Sequence, residues 1–267
     1  MIPDKTIPTT KIEIDGITIN EAYIGADDAP AIVLLHGWGA NIALVWALAQ
    51  NLAPLGYRVF ALDLPGFGES DDPPLAWSVF DYTNFVTRYL DAHQLDRILL
   101  FGHSFGGRLG LILAAEHPER ITRMVLADSA GLRPTVSATI QLRTSVYKTI
   151  RNGLTKIGMG ALADQLRTVY NKRYGSADFN YARGVMRETF VNVVNQDLLD
   201  YAKRVKTPTL LLWGENDEDT PLWMAKKLEA VMGDAGLVIF KGAGHYSYLE
   251  NLNQSVKAID ALFKDAQ

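Results

Sequence analysis

Short, almost unbroken apolar runs recur along this chain, and they constrain its fold more than any other feature. Ala31–Leu35, Arg58–Leu62, Arg97–Phe101 and Arg123–Ala127 are each about one strand long and, past their first residue, wholly apolar. A strand with one wet face alternates apolar and polar residues, whereas a strand covered on both faces does not. The runs therefore predict parallel strands in a sheet with helices on both faces. Helical stretches fall between and after them at Ala43–Leu52, Val79–His93 and Phe105–Glu116, the second with Ser78 as N-cap and Asp81 in its first turn. The rhythm resumes with strands at Pro208–Trp213 and Gly236–Phe240 and helices at Leu222–Met232 and Asn251–Phe263. Ahead of it all, Lys11–Ile14 and Ile17–Tyr23 flank Asp15-Gly16, a hairpin signal. The expected class is α/β, with a mostly parallel central sheet.

Between Gly131 and Lys206 the rhythm stops. No strand-like run stands out there, and the segment reads as helical. Its charge also differs: it holds 13 basic and 5 acidic residues, whereas the remainder holds 13 and 25. The net charge of −4 thus sums a segment of +8 and a remainder of −12. A charge block is most simply a solvated face, and here it would also suit docking on an acidic body.

Composition removes several function classes. An acidic chain with a pI near 5.7 is no overall basic nucleic-acid binder. With no Cys, disulfides, thiolate metal sites and cysteine nucleophiles are excluded, which suits a reducing cytoplasm. Asp4, Lys5, Lys11, Glu13 and Asp15 interrupt the first thirty residues, which therefore do not read as a secretory signal. The longest apolar run, Ile42–Ala49, falls short of the ~18 residues needed for a membrane span. The expectation is a cytoplasmic globular protein, monomer or homodimer, without nucleic-acid partners.

Chemistry enters at Gly102-His103-Ser104-Phe105-Gly106-Gly107, which follows the third apolar run and precedes a helix. This is G-x-S-x-G in a strand–turn–helix context. A serine on such a sharp turn is pushed out at the end of the sheet, and small flanking residues let strand and helix approach. The Phe105 N–H then lies at a helix N-terminus, where a developing oxyanion is favoured. Three further loops follow predicted strands. They are His36-Gly37-Trp38-Gly39, Asp63-Leu64-Pro65-Gly66-Phe67-Gly68-Glu69-Ser70 and Trp213-Gly214-Glu215-Asn216-Asp217-Glu218-Asp219-Thr220-Pro221. Gly242-Ala243-Gly244-His245 follows the last strand.

In this order the motifs resemble the α/β-hydrolase superfamily, in its capped serine-hydrolase branch. The resemblance covers most of the chain outside the Gly131–Lys206 segment. It implies a hydrolase core over residues 1–130 and 207–267 and a helical cap over 131–206. It also implies a triad of Ser104, Asp217 and His245, with the Trp38 and Phe105 backbone N–H groups as the oxyanion hole. Asp219 is a weaker choice of acid on spacing. Asp128 is a second candidate, because some relatives take the acid from the preceding strand. Asp63 and His36 read as braces of their turns, and His103 as a packing residue. Arg108 either pairs with Asp63 or Asp128 or binds a substrate carboxylate. Tyr246 lines the pocket or packs.

The activity implied is cleavage of small apolar or aryl esters, or lactones, through an acyl-enzyme, with no cofactor and no metal. The alternatives are a C–C bond hydrolase of dienoate-type ketones, a cofactor-free perhydrolase, and a hydrolase-fold ligand receptor with little turnover. Haloalkane dehalogenases and epoxide hydrolases are disfavoured, because they carry aspartate where this chain has Ser104. Hydroxynitrile lyases of the plant type carry lysine where this chain has Tyr246.

Overall fold

The computed structural model describes residues 7–133, 138–174 and 182–264. Eight strands form one sheet: β1 Thr9–Ile14, β2 Ile17–Ile24, β3 Ala31–Leu35, β4 Arg58–Leu62, β5 Ile98–His103, β6 Ile121–Ala127, β7 Thr209–Gly214 and β8 Ala235–Phe240. Their order is β1-β2-β4-β3-β5-β6-β7-β8. β2 is antiparallel to both of its neighbours, and all pairs from β4 to β8 are parallel. The Asp15-Gly16 turn closes the hairpin with Ile14 opposite Ile17, and both turn residues take positive φ (51° and 77°).

Side chains alternate across the sheet with period two, and each face finds its own helices. From β3, Val33 and Leu35 join one buried cluster with α2 (Val79–Ala92) and α3 (Phe105–Glu116). Ile32 and Leu34 join the other, with α1 (Ile42–Leu52). The expected Ser78 cap is a full capping box: the Ser78 hydroxyl accepts from Asp81 N–H, and Asp81 accepts from Ser78 N–H at 2.7 Å.

Between β6 and β7 the described regular elements are helices: α4 Ala138–Lys156, α5 Gly160–Tyr174, α6 Val185–Asn195 and the single turn α7 Leu199–Ala202. After β7 come α8 (Leu222–Val231) and, beyond β8, α9 (Ser247–Glu250) and α10 (Leu252–Lys264). The expected single helix from Asn251 to Phe263 is thus preceded by a separate turn of helix. Two kinds of packing meet in the insertion. α6 buries Met186, Phe190 and Val193 against the core, and its Thr189 hydroxyl accepts from Trp77 N–H at 3.1 Å. α4 and α5 pair with each other instead, through stacked Tyr147 and Tyr170 rings 3.9 Å apart. Leu142, Val146 and Ile150 lie exposed along α4. Phe179 and Tyr181, two aromatic residues of the insertion, lie outside the described residues. No described helix is long and apolar enough to cross a membrane.

Candidate active site

Ser104 sits where β5 ends and α3 begins, with φ of 48° and ψ of −105°. A non-glycine residue rarely adopts this backbone, and it is held here by its surroundings. Its N–H bonds the Ala127 carbonyl at 3.1 Å, and its carbonyl accepts from Ala130 N–H at 3.1 Å. Only glycines permit the approach around it: a Cβ on Gly102 would lie 2.6 Å from the Gly106 carbonyl oxygen, and one on Gly106 2.3 Å from that of Leu35.

The histidine loop brings His245 over this turn. His245 Nε2 lies 3.0 Å from Ser104 Oγ, and Nδ1 lies 2.9 Å from Asp217 Oδ2. The structure therefore places Ser104, His245 and Asp217 in one hydrogen-bonded line, although they are far apart in sequence. Asp217 is held from several sides. Its Oδ1 accepts from Asp219 and Thr220 N–H, each at 2.9 Å, and its Oδ2 accepts from the Thr220 hydroxyl at 2.6 Å. Burial would raise the Asp217 pKa, but the hydrogen bonds from His245 and Thr220 outweigh it and hold it below the ordinary carboxylate value. Burial would likewise lower His245, and the bond to Asp217, with that residue's charge, lifts it above the ordinary imidazole value.

Asp128, the other candidate acid, is engaged elsewhere. Its Oδ1 accepts from Gly214 N–H at 2.8 Å, and its Oδ2 from Ser247 N–H and hydroxyl at 3.0 and 2.6 Å. It ties the end of β7 to the loop that carries His245. Burial pushes its carboxyl up to about 7. Asp219 lends Asp217 its backbone N–H, and its own carboxylate is exposed. Asp217, Asp219 and His245 each have one ligand-type atom within 4.8 Å of the others, and His245 Nδ1 and Asp217 Oδ2 are already hydrogen-bonded to each other.

Trp38 and Phe105 line the pocket beside Ser104, and among the described residues neither backbone N–H has a hydrogen-bond partner. The turn that carries Trp38 is braced as the sequence suggests. His36 donates from Nδ1 to the Gly37 carbonyl (2.7 Å) and accepts at Nε2 from Leu64 N–H (3.0 Å), and burial keeps it neutral. Asp63 accepts from Ile42 N–H, Glu69 N–H and the Asn20 amide. His103 is buried and donates from Nε2 to the His245 carbonyl at 2.8 Å. Burial lowers its pKa to about 3, so it steadies the His245 backbone as a neutral ring.

The pocket holds about 260 Å³ and is walled by Trp38, Phe105, Phe190, Val193 and Val194, with Tyr246 at its edge. Phe190 of α6 packs edge-on against Trp38 at 5.1 Å. Arg108 also lines it, and here the sequence expectation of an ion pair is corrected. Both Asp63 and Asp128 are occupied by backbone amides, and Arg108 instead donates from Nη1 to the Gln196 carbonyl at 2.9 Å. Sequence reasoning also missed Thr220, Ser247 and the pocket residues Val193 and Val194 of α6. Thr220 stood inside the acid motif, three residues after Asp217, which was the only available hint.

A family model described as the alpha/beta hydrolase fold matches residues 30–252. A 2-hydroxy-6-oxononadienedioate/2-hydroxy-6-oxononatrienedioate hydrolase from Cupriavidus pinatubonensis is 29% identical over 88% of this chain and 86% of its own. In structure the chain is similar to a meta-cleavage product hydrolase from Pseudomonas fluorescens IP01 (TM-score 0.73, 23% identity, 97% of this chain and 98% of that one). It is similar as well to an enol-lactonase from Burkholderia xenovorans LB400 (TM-score 0.72, 22% identity, 96% and 100%).

Proposed function

Because this chain belongs to the alpha/beta hydrolase fold family and is a hydrolase, we propose that it cleaves carboxylic esters or lactones through an acyl-enzyme on Ser104. One observation carries the reading: Ser104 Oγ, His245 and Asp217 form a continuous hydrogen-bonded relay that opens on an apolar pocket. His245 Nε2 takes the hydroxyl proton as Oγ adds to the substrate carbonyl. The Trp38 and Phe105 N–H groups stabilise the oxyanion, an effect worth a few kcal/mol in such sites. The tetrahedral intermediate collapses, and His245 returns the proton to the departing alkoxide. Water, deprotonated by the same imidazole, then releases the acid and restores Ser104. Asp217 fixes the tautomer and stabilises the imidazolium. In this reading α6 forms a cap wall that selects the acyl or aryl group.

A second reading is favoured by the names of the relatives, which include hydrolases of oxo-dienedioates. In it the same residues add water across a C–C bond of a vinylogous 1,5-diketone, the carbonyl carbon taking hydroxyl and the other fragment a proton. A hydrolysis panel separates the two: p-nitrophenyl and phenyl esters of rising length, enol lactones and the diketone acid. Ester or lactone turnover with an inert diketone supports the proposal. Diketone turnover with inert esters supports the second reading.

A further inference from the structure

We propose that Arg108 is the anchor for a carboxylate on the substrate, so that the preferred esters or lactones carry a second, ionised acid group. This rests on the reading of Ser104 as nucleophile and adds the substrate class. Arg108 lies one helical turn beyond Ser104 on α3 and is 7% exposed, yet it lines the same pocket. A guanidinium has five N–H donors. Among the described residues this one has a single hydrogen-bond partner, the Gln196 carbonyl, and no carboxylate within salt-bridge distance. The acidic group that favours its charge, Asp197, is an exposed residue whose own carboxylate accepts from Leu199 N–H at 2.9 Å, and Arg133 opposes it. Burial accordingly lowers the Arg108 pKa to about 10.

A buried cation with one neutral partner is costly unless something pairs with it. A carboxylate arriving through the pocket would supply that partner, with the bidentate geometry that guanidinium favours. The remaining walls are chiefly apolar, so they would hold the body of the substrate and leave Arg108 as its polar address. Asp219, the acid on the pocket lining, is exposed and favours the charged form of His245. It does not neutralise Arg108. The two arms of an ester offer two places for the anion, and the test treats them separately.

The experiment measures kcat/KM for matched pairs. Phenyl half-esters of glutarate and adipate are compared with their neutral monoamides (anion on the acyl arm). 4-Carboxyphenyl esters are compared with 4-carbamoylphenyl esters (anion on the leaving group). The expected preference for the anionic member is roughly 10- to 100-fold on one arm, the range of a buried charge-assisted bond. In Arg108→Gln the ratio should fall to about one, and Arg108→Lys should retain part of it. A ratio cancels general losses from a disturbed Gln196 contact. Equal rates within both wild-type pairs, or a preference that survives Arg108→Gln, overturns the proposal. Thermal shift with adipate and with 4-hydroxybenzoate tests the anchor without turnover. Stabilisation of wild type but not of Arg108→Gln supports the site even if every ester proves inert, which would sink the Ser104 reading alone. No stabilisation by either acid, together with absent turnover, overturns both.

Discussion

The sheet-end loops and the insertion after β6 contribute to one pocket by opposite means. Carboxylates at the ends of β4, β6 and β7 tie the sheet-end loops with dense hydrogen-bond networks: Asp63 on three donors, Asp128 on three and Asp217 on four. The insertion touches the pocket through apolar side chains of α6, and α4 and α5 pair beyond it with exposed aliphatic residues. Polar networks fix atoms to fractions of an ångström, which proton transfer needs. Apolar walls tolerate exchange of similar volumes, which suits selection among substrates. Substitutions in the loops should therefore change rate, and those in the insertion should change selectivity.

The largest expected effect is that of Ser104→Ala, which should lower kcat by about 10⁴- to 10⁶-fold with an unchanged far-UV spectrum. Next comes Asp217→Asn, expected to cost about 10³- to 10⁴-fold, because the imidazole loses the partner that sets its tautomer. It should also move the pH profile. In wild type the acid limb of kcat/KM lies above the ordinary imidazole value, since Asp217 raises His245. Without that charge the burial of His245 dominates, and the limb shifts to lower pH. A limb that stays in place would show that the titrating group is not His245.

Asp128→Ala sharpens the comparison from the stability side. It strands the Gly214 and Ser247 donors, and at about 1–3 kcal/mol for each unsatisfied group the unfolding midpoint in urea should drop clearly. Phe190→Ala should act mainly on selectivity: KM for short aryl esters rises several-fold, kcat changes little, and bulkier acyl groups become acceptable. The smallest effect is expected from Tyr147→Ala, which removes a stacking contact worth about 0.5–1.5 kcal/mol within α4 and α5. A large loss of activity in that variant would break the distinction between the two regions.

Much of this was legible in the sequence because the signals are local. Strands buried on both faces show as unbroken apolar runs, and the Ser104 turn shows as glycines at fixed offsets. Asp217 was implied by the resemblance of its loop to the family's acid motif. What was not legible depends on which distant loops meet. Asp128 stands at the end of β6 with nothing nearby to show that Gly214 and Ser247 would claim it. Thr220 reads as an ordinary threonine until Asp217 folds back on it. Arg108 read as half of an ion pair with Asp63 or Asp128, yet both carboxylates are bonded to backbone amides and Arg108 donates to the Gln196 carbonyl. The lack of strand-like runs pointed to a helical insertion, but not to α6 rather than α4 as the helix that reaches the pocket.

The central claim is that Ser104 is a nucleophile activated by His245 and Asp217. Intact-mass and peptide-level mass spectrometry after brief exposure to a fluorophosphonate tests it most directly. The account predicts one adduct per chain, located on Ser104, absent in Ser104→Ala and greatly slowed in Asp217→Asn. An active protein that gains no adduct, or that is labelled equally well at another residue in Ser104→Ala, would contradict it.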